Sequence, residues 1–269
     1  MDPVKSLTDA GTNPGSAAYI VPIAAIDSSY ATLSARGPIG YEHPDLPALR
    51  VAQSYLDAVE GPLWVSVRGT GLAYGCSFSR RPSTGMISLG IYRSPDAYKA
   101  YAAAKEQVEG YASGKYDLDK FALEGAISGI VLEMADREPT AAAAASASYV
   151  NTVFLGLAKD YSHQMLKKVR SVTPVQVREA ITKYMVPVFD PKRTNLFVTC
   201  SMILSEQLAS SFEKAGFGPD IKPVEAFHDD YGLPPVEGED DPEDDDDEED
   251  FEEDEEGEDT PGSESENSA

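Results

Sequence analysis

Two periods govern the apolar positions of this chain, and the switches between them outline an order of elements. Tyr19 to Ala35 opens on the apolar run Ile20-Val21-Pro22-Ile23-Ala24-Ala25-Ile26 and continues into the β-leaning Ser29-Tyr30-Ala31-Thr32-Leu33. This predicts one strand or a bent pair, ending at Arg36-Gly37-Pro38. Leu49, Ala52, Leu56 and Val59 then recur at helical spacing. Pro44-Asp45-Leu46-Pro47 starts that helix with Asp45 as its N-cap, and Gly61-Pro62 closes it. Leu63 to Val67 reads as a further short helical piece. After the glycine-bearing turn Gly69 to Gly75, the stretches Ala73 to Arg80 and Met86 to Tyr92 alternate as strands. Arg81-Pro82-Ser83-Thr84-Gly85 joins them into a hairpin.

Helical spacing returns at Ser94-Pro95-Asp96, read as a helix start with proline at its first position, and runs to about Tyr111. Asp117 opens another helix, with Phe121, Ile127, Ile130, Val131 and Met134 on one face. Thr140 caps the next, where five alanines, 141 to 145, lead into Tyr149, Val150, Val153, Phe154 and Leu157. The continued apolar period predicts a tightly packed helix there. Asp160 to Val169 is short and helical, and Thr173-Pro174 starts a helix to about Tyr184. Asn195 to Thr199 is a strand, and Ser205 to Lys214 a helix closed by Gly216. Helices segregated from a set of pairing strands predict an α+β fold, an antiparallel sheet with helices packed on one face.

Charge divides the chain. Of 46 acidic residues against 22 basic ones, 23 acids and no bases fall in residues 229–269, which leaves 23 acids against 22 bases, a net −1, before them. The expected organisation is a flexible N-terminus over 1–16, an ordered domain over 17–228 and a disordered acidic tail over 229–269. A nearly neutral body excludes the broad basic face of a nucleic-acid binder, and no apolar run is long enough to suggest a membrane partner. Two cysteines, Cys76 and Cys200, make no disulfide framework and fit a reduced setting. Residues 1–16 lack the pattern of a secretory or transit segment, and the expected compartment is the cytoplasm, with mitochondria the alternative.

Little catalytic chemistry is visible locally. The histidines, His43, His163 and His228, have no histidine within a turn or two, and no HxxEH or HxxH pair exists. Three or four converging ligands make a zinc site, so no metal is expected on this chain. There is no G-x-S-x-G elbow and no phosphate loop. The unusual segment is LWVSVRGTGLAYGCSFS, residues 63–79, where the cation Arg68 and the phenol Tyr74 flank a loop with glycines at 69 and 71. Gly75, just after the phenol, permits a bend or a close backbone approach. The bland reading places Arg68 at a helix end, where the dipole favours a cation, and Tyr74 at the start of a strand.

The stretch HPDLPALRVAQSYLDAVEGPLWVSVRGTGLAYG, with IYRSPDAYKAYAAAKEQVEGYASGK and KYMVPVFDPKRTN, resembles the C-terminal part of pitrilysin/insulinase-family zinc metallopeptidases. The likeness is to the subfamily that contains the presequence proteases. It spans most of Ala17 to Ala226, one of the four homologous domains such enzymes carry, and excludes the tail. The resemblance implies a LuxS/MPP-like metallopeptidase domain and a two-part clamshell around a peptide chamber. The zinc cofactor and its HxxEH motif would lie in an N-terminal half absent here. Arg68 and Tyr74-Gly75 match the Arg and the Tyr-Gly that the C-terminal half contributes, and are implied as catalytic and substrate-binding residues. Tyr74 would donate to the oxygen of the attacked carbonyl, and Arg68 would hold substrate carbonyls, with the Gly69/Gly71 turn reaching across the chamber.

The expected partners are therefore the zinc-bearing half, in the same longer chain or in trans, and an unfolded peptide substrate. Alone, the chain is expected to have no peptidase activity. The alternative reading is a non-catalytic interaction subunit whose acidic tail grips basic proteins, with Phe251 as an anchor and Ser263 and Ser265 as phosphorylation sites that add charge.

Overall fold

The computed structural model describes residues 9–227. The acidic tail, Phe251, Ser263, Ser265 and His228 lie outside the described residues, as do residues 1–8 of the expected flexible N-terminus.

Six strands form one open sheet: β1 (Ala18–Pro22), β2 (Ser29–Arg36), β3 (Gly75–Arg81), β4 (Met86–Ser94), β5 (Thr194–Cys200) and β6 (Asp220–Ile221), in the spatial order β3-β4-β2-β5-β1-β6. β3, β4, β2 and β5 pair antiparallel, as expected. β1 departs from that pattern, running parallel to β5 on one side and to β6 on the other. The run from Tyr19 to Ala35 is therefore two strands that flank β5 rather than pairing with each other. Pro22 ends β1 because it has no N–H to offer the ladder. β6 is two residues long and exposed, too short to leave a period in the sequence.

Alternation sorts the sheet into two faces. Ala31, Leu33, Ala35, Phe78, Ile87, Leu89, Ile91, Leu196 and Val198 are buried. Between them stand Thr32, Ser34, Ser77, Ser79, Ser88, Gly90 and Phe197, small or partly exposed residues of the other face. Ser34 and Ser88 meet across the β2–β4 ladder with their hydroxyls 2.7 Å apart. On that other face the 3-10 turn Val224–Phe227 sets Phe227 against Phe197 and Tyr19, ring centroids 5.5 and 5.3 Å away, while the α-helices cover the apolar face as a layer.

That layer begins with α1 (Leu46–Asp57), whose Leu49, Val51, Ala52 and Leu56 are completely buried. Asp45 holds the N-cap position without capping by its side chain. Its carboxylate instead accepts from Lys183 Nζ and Tyr184 Oη, each at 2.7 Å, which holds it below the usual carboxylate range. α2 (Ala97–Ser113) is capped by Asp96, which accepts from the Lys99 N–H at 3.2 Å. Pro95 thus precedes the cap rather than occupying the first helical position. Tyr101 of α2 sits with Tyr98, Phe189, Phe212 and Phe217 in an aromatic cluster whose ring centroids are 5.3–5.9 Å apart.

α3 (Lys120–Asp136), capped by Asp119, packs on α1 through Leu123, Ala126, Ile127 and Ile130. Phe121 and Val131 of the expected face are exposed. The buried stripe is shifted because small residues at Ala126 and Gly129 let the helix lie close over Ser54, whose hydroxyl donates to the Ala126 carbonyl at 3.0 Å. α4 (Ala141–Tyr149) is capped by Thr140 as expected, but the alanine run does not make it tightly packed. No residue of α4 or of its π-helical extension Val150–Phe154 is buried. α5 (Tyr161–Arg170) follows. α6 (Pro174–Ala180) starts from a complete capping box between Thr173 and Gln176 and passes into a π turn, Ile181–Met185, and a 3-10 turn, Val186–Phe189. α7 (Ser205–Lys214) closes the layer with Leu208 and Phe212 buried. Among the described residues no helix is long and apolar enough to cross a membrane.

Candidate functional site

Arg68 ends a five-residue π turn, Trp64–Arg68, that follows α1. Hydroxyls explain the widened turn. Ser66 donates to the Pro62 carbonyl at 2.7 Å, and Thr70 donates to the Ser66 carbonyl at the same distance. Each takes a carbonyl that a regular helix would offer to an N–H four residues on. The Gly69 N–H therefore reaches the Trp64 carbonyl, five residues back, at 2.7 Å. π turns are rare and recur at functional sites. Val67 faces the core with no exposure, while Arg68 is turned outward.

Gly71, at φ +75° with open space where a Cβ would project, turns the chain back. Tyr74 is tied to β4 through its N–H, which donates to the Arg93 carbonyl at 3.0 Å. Arg93 itself has φ +50°, a left-handed conformation costly for a side-chain-bearing residue. The strain sits where β4 must present its carbonyl to Tyr74 and its next residue, Ser94, to the Leu72 carbonyl at 2.6 Å.

Loop and strand edge together bring the two expected residues into contact. The Arg68 guanidinium carbon lies 4.5 Å from the Tyr74 ring centroid and 5.9 Å from that of Trp64. Tyr74 is 59% exposed, so a cation stacked on a phenol is presented to solvent. The ring of Tyr74 meets Tyr92 at 6.2 Å, and Tyr92 meets Tyr30 at 5.4 Å. The pKa of Arg93 is raised, first of all by the neighbouring Tyr30 phenol. The sequence singled out Arg68 and Tyr74 but missed Tyr92, Tyr30 and Arg93. The available signal was Tyr92 itself, a large aromatic at an outward position of an alternating strand.

Gly75 behaves differently from the bend suggested by its neighbours. It pairs regularly with Tyr92, and a Cβ added to it would lie 3.6 Å from the Tyr92 Cβ, an ordinary contact.

No group of three or more His, Cys, Asp or Glu side chains among the described residues converges as a metal site. His43 is occupied in a turn, its Nδ1 accepting from the Asp45 N–H at 3.1 Å, and His163 is exposed on α5. Cys200 is buried and Cys76 half-buried, both are free, and burial pushes the Cys76 thiol up to about 12. The described residues do not fit a zinc ion.

The model of the peptidase M16 inactive domain matches residues 9–129, the segment that contains Arg68, Tyr74 and the β3–β4 hairpin. That match covers a little under half of the 269-residue chain. Its likeness to an uncharacterized protein of Saccharomyces cerevisiae is 33% identity over 79% of this chain and 21% of that protein. A second, from Schizosaccharomyces pombe, is 32% identical over 82% of this chain and 21% of its own length. The chain thus spans about a fifth of these relatives. Among solved structures, the M16 inactive domain of Pseudomonas fluorescens superposes with a TM-score of 0.54 at 17% identity, covering 69% of this chain and 44% of that one. A putative zinc protease from Bordetella pertussis gives 0.54 at 18% identity, covering 64% and 93%. These likenesses show a shared fold: one open sheet under a layer of helices.

Proposed function

We propose that this domain is the C-terminal wall of a presequence-protease-like zinc metalloendopeptidase. It completes a peptide chamber and contributes Arg68 and Tyr74 to a site whose zinc is held by a separate, N-terminal half. The observation that carries the reading is the exposed stack of Arg68 on Tyr74. Two side chains six residues apart are brought together by a π turn, a left-handed glycine and a strained Arg93, yet neither is used to fill the core. Local strain held by surrounding structure favours a functional explanation over a packing one.

In this reading the domain binds and orients. The Tyr74 hydroxyl donates a hydrogen bond to the carbonyl oxygen that gains negative charge during peptide cleavage. The Arg68 guanidinium, fixed in plane by the ring beneath it, donates to neighbouring backbone carbonyls of an extended peptide. The small residues that β2, β3 and β4 place on the outer sheet face, among them Ser34, Ser77, Ser79 and Ser88, leave room for the substrate chain beside them.

Complementation tests this. The chain is co-expressed with an HxxEH-bearing M16 half, and cleavage of an unstructured fluorogenic peptide is followed. Cleavage should require both halves, and Tyr74→Phe and Arg68→Ala should each lower kcat/KM by about 100- to 1,000-fold. Full rates in both variants overturn the roles assigned. Failure to complement at all, together with salt-sensitive binding of basic proteins, favours the alternative of a non-catalytic interaction subunit.

A further inference from the structure

On the helical side of the sheet, away from the Arg68–Tyr74 pair, a cavity of about 860 Å³ opens between α1, β3, the end of α3 and the overhanging α4. Three arginines from three elements line it: Arg50 of α1, Arg80 of β3 and Arg137 just after α3. Gln53, Asn151 and Tyr161 add polar groups to the wall. Arg50 is only 7% exposed, and its Nε has no hydrogen-bond partner. Its remaining bonds are long: Nη1 to the Met134 sulfur at 3.6 Å and Nη2 to a Glu133 oxygen at 3.5 Å.

The charges do not balance. Three guanidiniums face two carboxylates: Glu133, bound by both Arg50 and Arg137, and Glu138, an exposed residue on the cavity wall. Arg80 has no ion pair among the described residues and donates instead to Gln53 Oε1. Asp57 lies beneath, but its carboxylate is occupied by the Phe78 N–H, 3.1 Å from both oxygens. Burial first, and then the neighbouring Arg50, pull the Arg80 guanidinium down to about 10. A guanidinium has five donors and no acceptor. Three of them clustered at a partly desolvated wall repel one another unless an anion stands between.

We propose that this cavity is an oxyanion site, seating a carboxylate or phosphate group among Arg50, Arg80 and Arg137. Planar guanidinium forks suit both, since each presents paired oxygens. The cavity is far larger than one such group, so the ligand extends beyond its anionic end, toward Asn151 and Tyr161. α4 and its extension, with no buried residue of their own, form the outer wall and can adjust to it.

The test is calorimetric titration of the 269-residue chain with two probes, sodium orthophosphate and sodium glutarate, at constant ionic strength set with sodium chloride. Saturable binding of either probe is expected, and the tighter of the two tells a phosphorylated ligand from a carboxylate one. Arg137→Ala, at an exposed side chain, and Arg80→Met should each weaken it about ten-fold or more. Arg170→Ala, at an arginine outside the cavity, should leave it unchanged. Circular dichroism checks that each variant is folded. Heats no larger than dilution for both probes overturn the site, as does binding that the Arg137 and Arg80 variants leave intact.

Discussion

Asp57 is the last residue of α1, and its two carboxylate oxygens accept the N–H of Phe78 at 3.1 Å from beneath β3. Burial raises it from 3.8 to about 7, against the opposing pull of that hydrogen bond, of Gln53 and of Arg80. The sign of the linkage follows. Between about pH 4 and 7 the folded protein keeps a proton that the unfolded chain has lost, so stability falls as pH rises through that window. The span corresponds to about 4 kcal/mol at most. Asp57→Asn, which cannot ionise, should flatten this part of the stability profile, measured as urea midpoints at stepped pH. An unchanged slope means that Asp57 is ionised throughout. Nothing in the sequence marked this residue, because burial of one carboxylate at a helix end is set by the strand that passes over it. Arg68 and Tyr74 lie at the other extreme. Their types and spacing were legible, and the folded chain joins them by a cation–ring contact worth about 0.5–1 kcal/mol at an exposed site. Arg68→Ala and Tyr74→Phe should therefore shift the unfolding midpoint by less than about 1 kcal/mol. A larger shift would give the pair a structural role and weaken any reading of lost cleavage as lost chemistry.

Elements with strong local signals were readable. The β3–β4 hairpin, the helix start at Thr173-Pro174, the Thr140 cap and the helical runs all follow from residue type and period. Three π turns were not, since each depends on hydroxyl or packing competition for carbonyls that no period records. α4 shows where composition misleads. Five alanines satisfy helix propensity whether or not anything lies against them, and here no residue of the element is buried. The contrast gives a paired prediction. Phe154→Ser, at a residue 72% exposed, should change stability by no more than about 0.5 kcal/mol. Leu49→Ala, at a fully buried position of α1, should cost about 2–5 kcal/mol. Chemical denaturation of the two variants checks it, and a costly Phe154 substitution would mean that α4 is packed in solution against something absent from this fold.

At the scale of the whole molecule, the fold class was legible because segregated helices and alternating strands leave few layer arrangements. The parallel attachment of β1 was not, because β1 and β2 meet only through β5, more than 150 residues away in sequence. The remaining feature is charge. Residues before 229 carry a net −1 and residues 229–269 carry −23, so any electrostatic attraction for basic proteins belongs to the second segment. Such attraction between solvated charges decays over about 10 Å at 0.1 M salt and about 3 Å at 1 M. A lysine-rich histone fraction, used as a probe, should bind the full chain at low salt and dissociate as sodium chloride rises. A chain ending at residue 228 should not bind it at any salt concentration. Phosphorylation at Ser263 and Ser265 adds up to about two negative charges each and should move the salt midpoint upward. Retention of the probe by the shortened chain would place the attraction in the folded domain, against its near-neutral balance. Binding that survives high salt would point to apolar contacts instead, for which Phe251 is the first residue to replace.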